Sequence, residues 1–245
     1  MYGYFNLKDK VQKYLAFDYD EIKNIFIIIA ILSFIAGFDD GRDTFNAVLW
    51  GLNLFTTSII ITVSVLVHVI TQRIFALKNG YLPRLELNWY MLIIGLILTM
   101  ITFGKFWFFL IPGIFTMDIS EVHRLGYFRY GLSMKQYGWI SVTGCLANIF
   151  LAIIFKLLLG LNPGSAILMS GLRINIAMAI INMLPLPPLN GVKLFFGSRL
   201  FYFFLTGLVV GIGMFLLLLD NILISLILAL ILAILSFYFA NEYLD

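Results

Sequence analysis

Apolar residues fill this chain in long runs separated by short polar stretches, with no sustained alternation. Read against the ~20 residues that a helix needs to cross a bilayer, these runs predict about seven transmembrane segments: 25–38, 47–77, 89–110, 139–159, 166–184, 200–219 and 222–240. The first is short, and the second is long enough to project beyond the hydrocarbon. One sizeable polar stretch, 112–138, carries Asp118, Glu121, His123, Arg124 and Arg129 and predicts a small loop or membrane-dipping element. Pro185, Pro187 and Pro188 follow the fifth run directly and predict a broken helix, because proline cannot continue one. Near the start, Leu7, Val11, Tyr14 and Leu15 recur at helical spacing while Lys8, Lys10 and Lys13 point elsewhere. That pattern suits either a short helix in the headgroup layer or a solvated tail.

Composition strengthens the membrane reading. The chain is 62% hydrophobic and 12% charged, with a mean hydropathy of +1.00, whereas a soluble domain carries about 25% charged residues. The expected fold class is an all-α polytopic membrane protein, with residues 1–245 as a single membrane domain. A net charge of +3 without a basic cluster argues against nucleic-acid binding. No cleavable signal peptide is expected from the first twenty residues. Lys8, Lys10, Lys13 and Lys23 favour a cytoplasmic N-terminus in a multi-pass cell-membrane protein, and seven spans then put the C-terminus outside. The single cysteine, Cys145, lies in an apolar run and reads as a packed side chain.

Candidate chemistry starts in the second segment. His68 and Gln72 are four residues apart, so they share one helical face. Counting ten residues at ~1.5 Å each from the boundary at Lys78 puts His68 roughly 15 Å deep. An isolated histidine in an apolar helix is more often a hydrogen-bonded packing residue than a metal ligand. Arg173, about eight residues into the fifth segment, is either a functional intramembrane charge or a snorkelling one. Lys156 lies near a segment end and snorkels, while Lys105 marks where the third helix ends.

Several stretches, in order and at similar spacing, resemble the site-2 protease family of intramembrane zinc metalloproteases. His68-Val69-Ile70-Thr71-Gln72 stands where the family has H-E-x-x-H on a membrane helix. Asn182-Met183-Leu184-Pro185-Leu186-Pro187-Pro188-Leu189-Asn190-Gly191 resembles its second metal-site motif, with Asn190 at the liganding aspartate. Gly144-Cys145-Leu146-Ala147-Asn148 resembles the family's G-P-x-x-N element with Cys145 in place of proline, and Ile111-Pro112-Gly113 resembles its Pro-Gly element. The resemblance covers about 47–195 and leaves 200–240 as two additional helices. It implies three core helices around a zinc site facing the cytoplasm, with substrate helices admitted laterally.

The departures fall on the chemistry. Val69 occupies the general-base position, Gln72 the second histidine and Asn190 the aspartate, while Asn148, Asn182, Pro185 and Gly191 are retained. Gln offers zinc a neutral amide oxygen and Val69 cannot move a proton. The resemblance therefore implies a pseudoprotease: no catalytic residue, a vestigial His68, no zinc or other cofactor, and Asn148, Asn182, Pro185 and Asn190 as the residues meeting a bound segment. Expected partners are transmembrane helices or membrane proteins within the bilayer. The alternatives are an active metalloprotease with substitute ligands, such as zinc on His68 and His123, and a small-solute transporter using the broken helix near Asn190.

Overall fold

The computed structural model describes residues 2–118 and 133–244. The chain is mostly helical: α1 (Tyr2–Tyr14), α2 (Tyr19–Gly37), α3 (Ala47–Lys78), α4 (Trp89–Ile101), α5 (Met134–Leu161), α6 (Ala166–Asn182), α7 (Asn190–Gly197), α8 (Arg199–Leu218) and α9 (Ile222–Leu244). Four of these, α3, α5, α8 and α9, are long and apolar enough to cross a membrane, and α4 and α6 are shorter apolar helices.

The run 89–110 does not form the single helix predicted for it. α4 stops at Ile101, where Phe103 (φ 51°) and Gly104 (φ 82°) take the left-handed conformation and turn the chain. A side chain at 104 would have to stand 2.9 Å from the Asp39 nitrogen, so glycine is needed there for space as well as for φ.

The all-α expectation also gives way locally. Strands β1 (Leu82–Glu86) and β2 (Ile114–Asp118) pair antiparallel, with Leu85 opposite Phe115. Side chains cover both outer edges of this ribbon. On β1, the Leu85 N–H donates to Glu21 Oε1 at 3.0 Å and its carbonyl accepts from Asn24 Nδ2 at 3.0 Å. On β2, the Phe115 carbonyl accepts from Tyr137 Oη at 2.9 Å and Lys193 Nζ at 3.2 Å. Unpaired strand edges recruit other strands, and these contacts remove that option locally.

Glu21 also closes a capping box at the start of α2, its Oε2 accepting from the Asp18 N–H at 3.0 Å. The same carboxylate takes Arg73 Nη1 at 2.8 and 2.9 Å. Arg73 in turn donates to the carbonyls of Tyr14 (3.1 Å) and Ala16 (2.8 Å) and lies over the Phe17 ring. One buried ion pair thus joins α1, α2, α3 and β1, and α1 packs on α3.

Two apolar clusters meet along α6. Ile174, Ala177 and Met178 face the cluster built by α2, α3, α4 and the ribbon, while Leu172, Ile176 and Ala179 face the one built with α5, α7, α8 and α9. Between helices in lipid, close packing of small residues replaces the aqueous hydrophobic drive. A Cβ on Gly138 would stand 2.7 Å from Leu194 Cα, and one on Gly211 2.9 Å from Ala229 Cα, so α5–α7 and α8–α9 approach to backbone distance.

Candidate functional site

His68 points from α3 into α5, where its ring lies against Gly144. A Cβ there would fall 2.6 Å from His68 Cδ2, so only glycine admits the imidazole. Ser141, Cys145 and Asn148 follow the same face of α5 at helical spacing, and all three are buried. Gln72, one turn beyond His68, donates its Nε2 to the Ser141 carbonyl. Val69 points the other way, fully enclosed in the apolar cluster with Ile174 and Met178.

The opposing half of the site comes from the break after α6. The prolines keep 183–189 non-helical, and the chain then folds back so tightly that a Cβ on Gly191 would meet the carbonyl oxygens of Met183 and, at 2.6 Å, Leu184. Tyr202 Oη donates to the Met183 carbonyl at 3.1 Å and fixes the same corner. The return delivers Asn190, in the first turn of α7, to the histidine: Asn190 Nδ2 lies 3.5 Å from His68 Nε2. Asn190 also meets the Cys145 side chain. Asn148 is close enough to interact with His68, yet neither of its carboxamide atoms makes a hydrogen bond of ordinary geometry, and His68 Nδ1 likewise has none.

The structure therefore brings together His68, Gln72, Asn148 and Asn190 and separates the other predicted positions from them. Asn182 is engaged elsewhere, donating to the carbonyls of Met178 (2.7 Å) and Leu110 (3.2 Å), which pins the chain following α4 against α6. Pro185 is exposed on the loop, while Pro187 and Pro188 line a cavity of about 500 Å³ with Leu87, Trp89, Tyr90 and Ile114. Arg173 lies in α6 on an exposed face, apart from the His68 group. Glu121, His123, Arg124 and Arg129 lie outside the described residues.

Sequence reasoning missed Ser141, Lys193 and the Glu21–Arg73 pair. Lys193 stands one turn past Asn190, buried over the Tyr137 ring, and ties α7 to β2 through the Phe115 carbonyl. The Asp18-x-x-Glu21 spacing was a readable capping signal. Nothing local to Arg73 or Lys193 marks their partners, which are 52 and 78 residues away in sequence.

The donor set does not suit zinc. A catalytic zinc site takes three nitrogen, sulfur or carboxylate ligands and an open position. Around His68 stand carboxamides, and among the described residues no three His, Cys, Asp or Glu side chains cluster to hold a metal.

These features define a mostly helical protein with four helices long and apolar enough to cross a membrane and a buried histidine–carboxamide cluster. The chain is 31% identical over 130 residues to a Methanocaldococcus jannaschii protein named "Putative zinc metalloprotease MJ0611". The match covers 51% of this chain and 61% of that protein, so the chain spans less than two thirds of the relative. No family model matches the chain, and no solved structure matches it.

Proposed function

We propose that this protein is a multi-pass, site-2 protease-like membrane protein that binds transmembrane segments or partner membrane proteins without cutting them. The observation that carries the reading is the Asn190 carboxamide against His68 Nε2, at the position where the resembled family has a carboxylate ligand. The environment of Val69 supports it, since an apolar enclosure offers neither a proton acceptor nor a path for water. Gln72 supports it too: its amide nitrogen is held by α5.

For binding, the relevant groups are the cavity lined by Trp89, Tyr90, Pro187 and Pro188 and, for a segment that enters between α3 and α5, the buried Asn148 beside His68, whose carboxamide makes no hydrogen bond of ordinary geometry. Asn182 contributes by positioning the Leu110 segment. A neutral amide offered to an unwound stretch of a partner helix is worth ~1 kcal/mol in a membrane setting. The cytoplasmic N-terminus belongs to the same proposal and rests on its lysines.

The M. jannaschii relative, named a zinc metalloprotease, favours a second reading in which this chain is an active enzyme with substitute ligands. Elemental analysis of the purified protein, together with a cleavage assay on a model transmembrane substrate, separates the two. The binding role predicts no stoichiometric zinc and no cleavage, with partner proteins captured by crosslinking in native membranes. One chelator-sensitive zinc per chain together with cleavage establishes the enzyme.

A further inference from the structure

Strand pairing fixes where the chain turns back. Glu86 pairs with Ile114, so residues 87–113 leave β1 and return to β2 at one place. The far point of that excursion is set by α2. Glu21, in its first turn, takes the Leu85 N–H, and beyond its other end Asp39 lies against Gly104, where a Cβ would stand 2.9 Å from the Asp39 nitrogen. The 19 residues of α2 span ~28 Å between these contacts, close to the ~30 Å of a hydrocarbon core. Thus α4 carries the chain from the ribbon end of the molecule to the α2–α3 turn, and 105–113 brings it back. The return is not helical, which a bilayer tolerates only where protein encloses the backbone. Leu110, Ile111 and Pro112 are buried, and the Leu110 carbonyl accepts from Asn182 Nδ2.

The later helices alternate between the same two ends. α5 starts at the ribbon, where Tyr137 Oη bonds the Phe115 carbonyl, and α6 starts at the α2–α3 turn, where Ala166 and Arg42 share a cavity. α7 returns to the ribbon through Lys193, and α8 starts there, with the Phe201 ring 5.1 Å from that of Trp139. Asp220, between α8 and α9, lies 3.7 Å from Lys156 near the far end of α5. α9 then comes back along α8, its Phe237 lining a cavity with Phe201. The number of passes is even, whether the hairpin at 87–113 is counted or not. Charge separates the ends as well. Arg42, Lys105, Lys156 and Arg173 stand toward the α2–α3 turn, and every other described lysine and arginine lies toward the ribbon. An excess of Lys and Arg marks the cytoplasmic side of a membrane protein.

We infer that 87–113 is a re-entrant hairpin and that the ribbon, α1 and the last turn of α9 all lie on the cytoplasmic side, with the α2–α3 turn and the hairpin tip on the other. Seven spans would have put the two ends of the chain on opposite sides. The cavity lined by Trp89, Tyr90, Pro187 and Pro188 sits at the base of the hairpin, so it opens at the cytoplasmic interface. Its partner is then a membrane protein that presents a segment at its own cytoplasmic boundary. This restriction rests on the proposed binding role, whereas the topology does not.

The test uses the full chain in sealed membrane vesicles of both orientations, labelled with a membrane-impermeant maleimide. Cys145 is fully buried and serves as the unlabelled background. Q12C and E242C, both at exposed positions, are expected to label only in inside-out vesicles, and D43C and K105C, also exposed, only in right-side-out ones. Labelling of Q12C and E242C on opposite faces overturns the even count. Labelling of K105C on the same face as Q12C overturns the hairpin that reaches across. Reversal of all four overturns the cytoplasmic assignment. A fluorescent protein that matures only in the cytoplasm, fused after residue 245, covers the case in which a cysteine variant does not insert: fluorescence is expected, and a dark fusion present in the membrane overturns the proposal. A photoreactive residue in place of Tyr90 tests the partner: crosslinks to segments on the other side of the membrane overturn the restriction, and no crosslinks at all defeat the binding role while the labelling result stands.

Discussion

Asn190 and His68, 122 residues apart in sequence, meet in the interior with their side-chain nitrogens 3.5 Å apart. Where the resembled family has a carboxylate and an imidazole on one metal, this chain sets a carboxamide against the imidazole directly. The pair is held from both sides by glycine: Gly144 admits the ring, and Gly191 lets the returning chain reach it.

That geometry predicts how metal binding can be restored. The pair of substitutions Q72H and N190D supplies two further ligands beside His68, and zinc measured by elemental analysis should rise from none to near one per chain. Adding V69E should lower stability, because the carboxylate enters a closed apolar cluster. Neither single ligand change should hold zinc firmly, since two protein ligands are too few. Proteolysis should return less readily than metal, because it also needs orienting second partners and water access. Absence of zinc in the double and triple variants would defeat the site-2 protease-like reading of the pocket.

Gly144→Ala should be destabilising by about 1–3 kcal/mol, the usual cost of overpacking. The three atoms nearest the new methyl all belong to the His68 ring. H68A should relieve the clash, so the double variant should be less unstable than the two single losses added together. Unfolding midpoints of the four proteins check this. Simple additivity would place the histidine ring elsewhere.

The Glu21–Arg73 pair should behave as a buried ion pair. Both side chains are under one-tenth exposed. Removing one partner, as in E21Q or R73M, strands the other charge and should cost about 3–5 kcal/mol, whereas E21L/R73M should recover much of that. Denaturant unfolding reads the difference. Losses below 1 kcal/mol in the single variants would make the pair an ordinary surface contact.

Much of the fold was legible because its cause is local. The apolar runs at 139–159 and 222–240 lie inside α5 and α9, and Pro185 to Pro188 mark the break after α6. The ribbon was not legible: Leu82–Glu86 is five residues long with a proline in it, too short for a period of two to stand out. The end of α4 depends on Phe103 accepting a positive φ, which its side chain does not advertise. In the candidate site, motif order anticipated that Asn190 comes close to His68. It could not distinguish Asn148 from Asn182, because that distinction lies in hydrogen bonds made across the fold.

Those two asparagines supply the last prediction. Asn182 makes two buried hydrogen bonds to backbone carbonyls, one of them to Leu110 at the end of the chain that follows α4. Asn182→Leu should remove both and leave the Leu110 carbonyl short of a donor, at a cost of about 1–3 kcal/mol. Asn148 is equally buried but makes no ordinary hydrogen bond, so Asn148→Leu, of similar volume, removes an unsatisfied polar group and should leave the unfolding midpoint unchanged or raised. Partner binding should respond the other way. If Asn148 meets an unwound partner segment, its leucine variant should lose crosslinked partners in native membranes while remaining well folded. The Asn182 variant should lose them only as far as it unfolds. Full partner recovery with Asn148→Leu, in a protein of undiminished stability, would remove Asn148 from the binding surface and leave its carboxamide as an internal neighbour of His68.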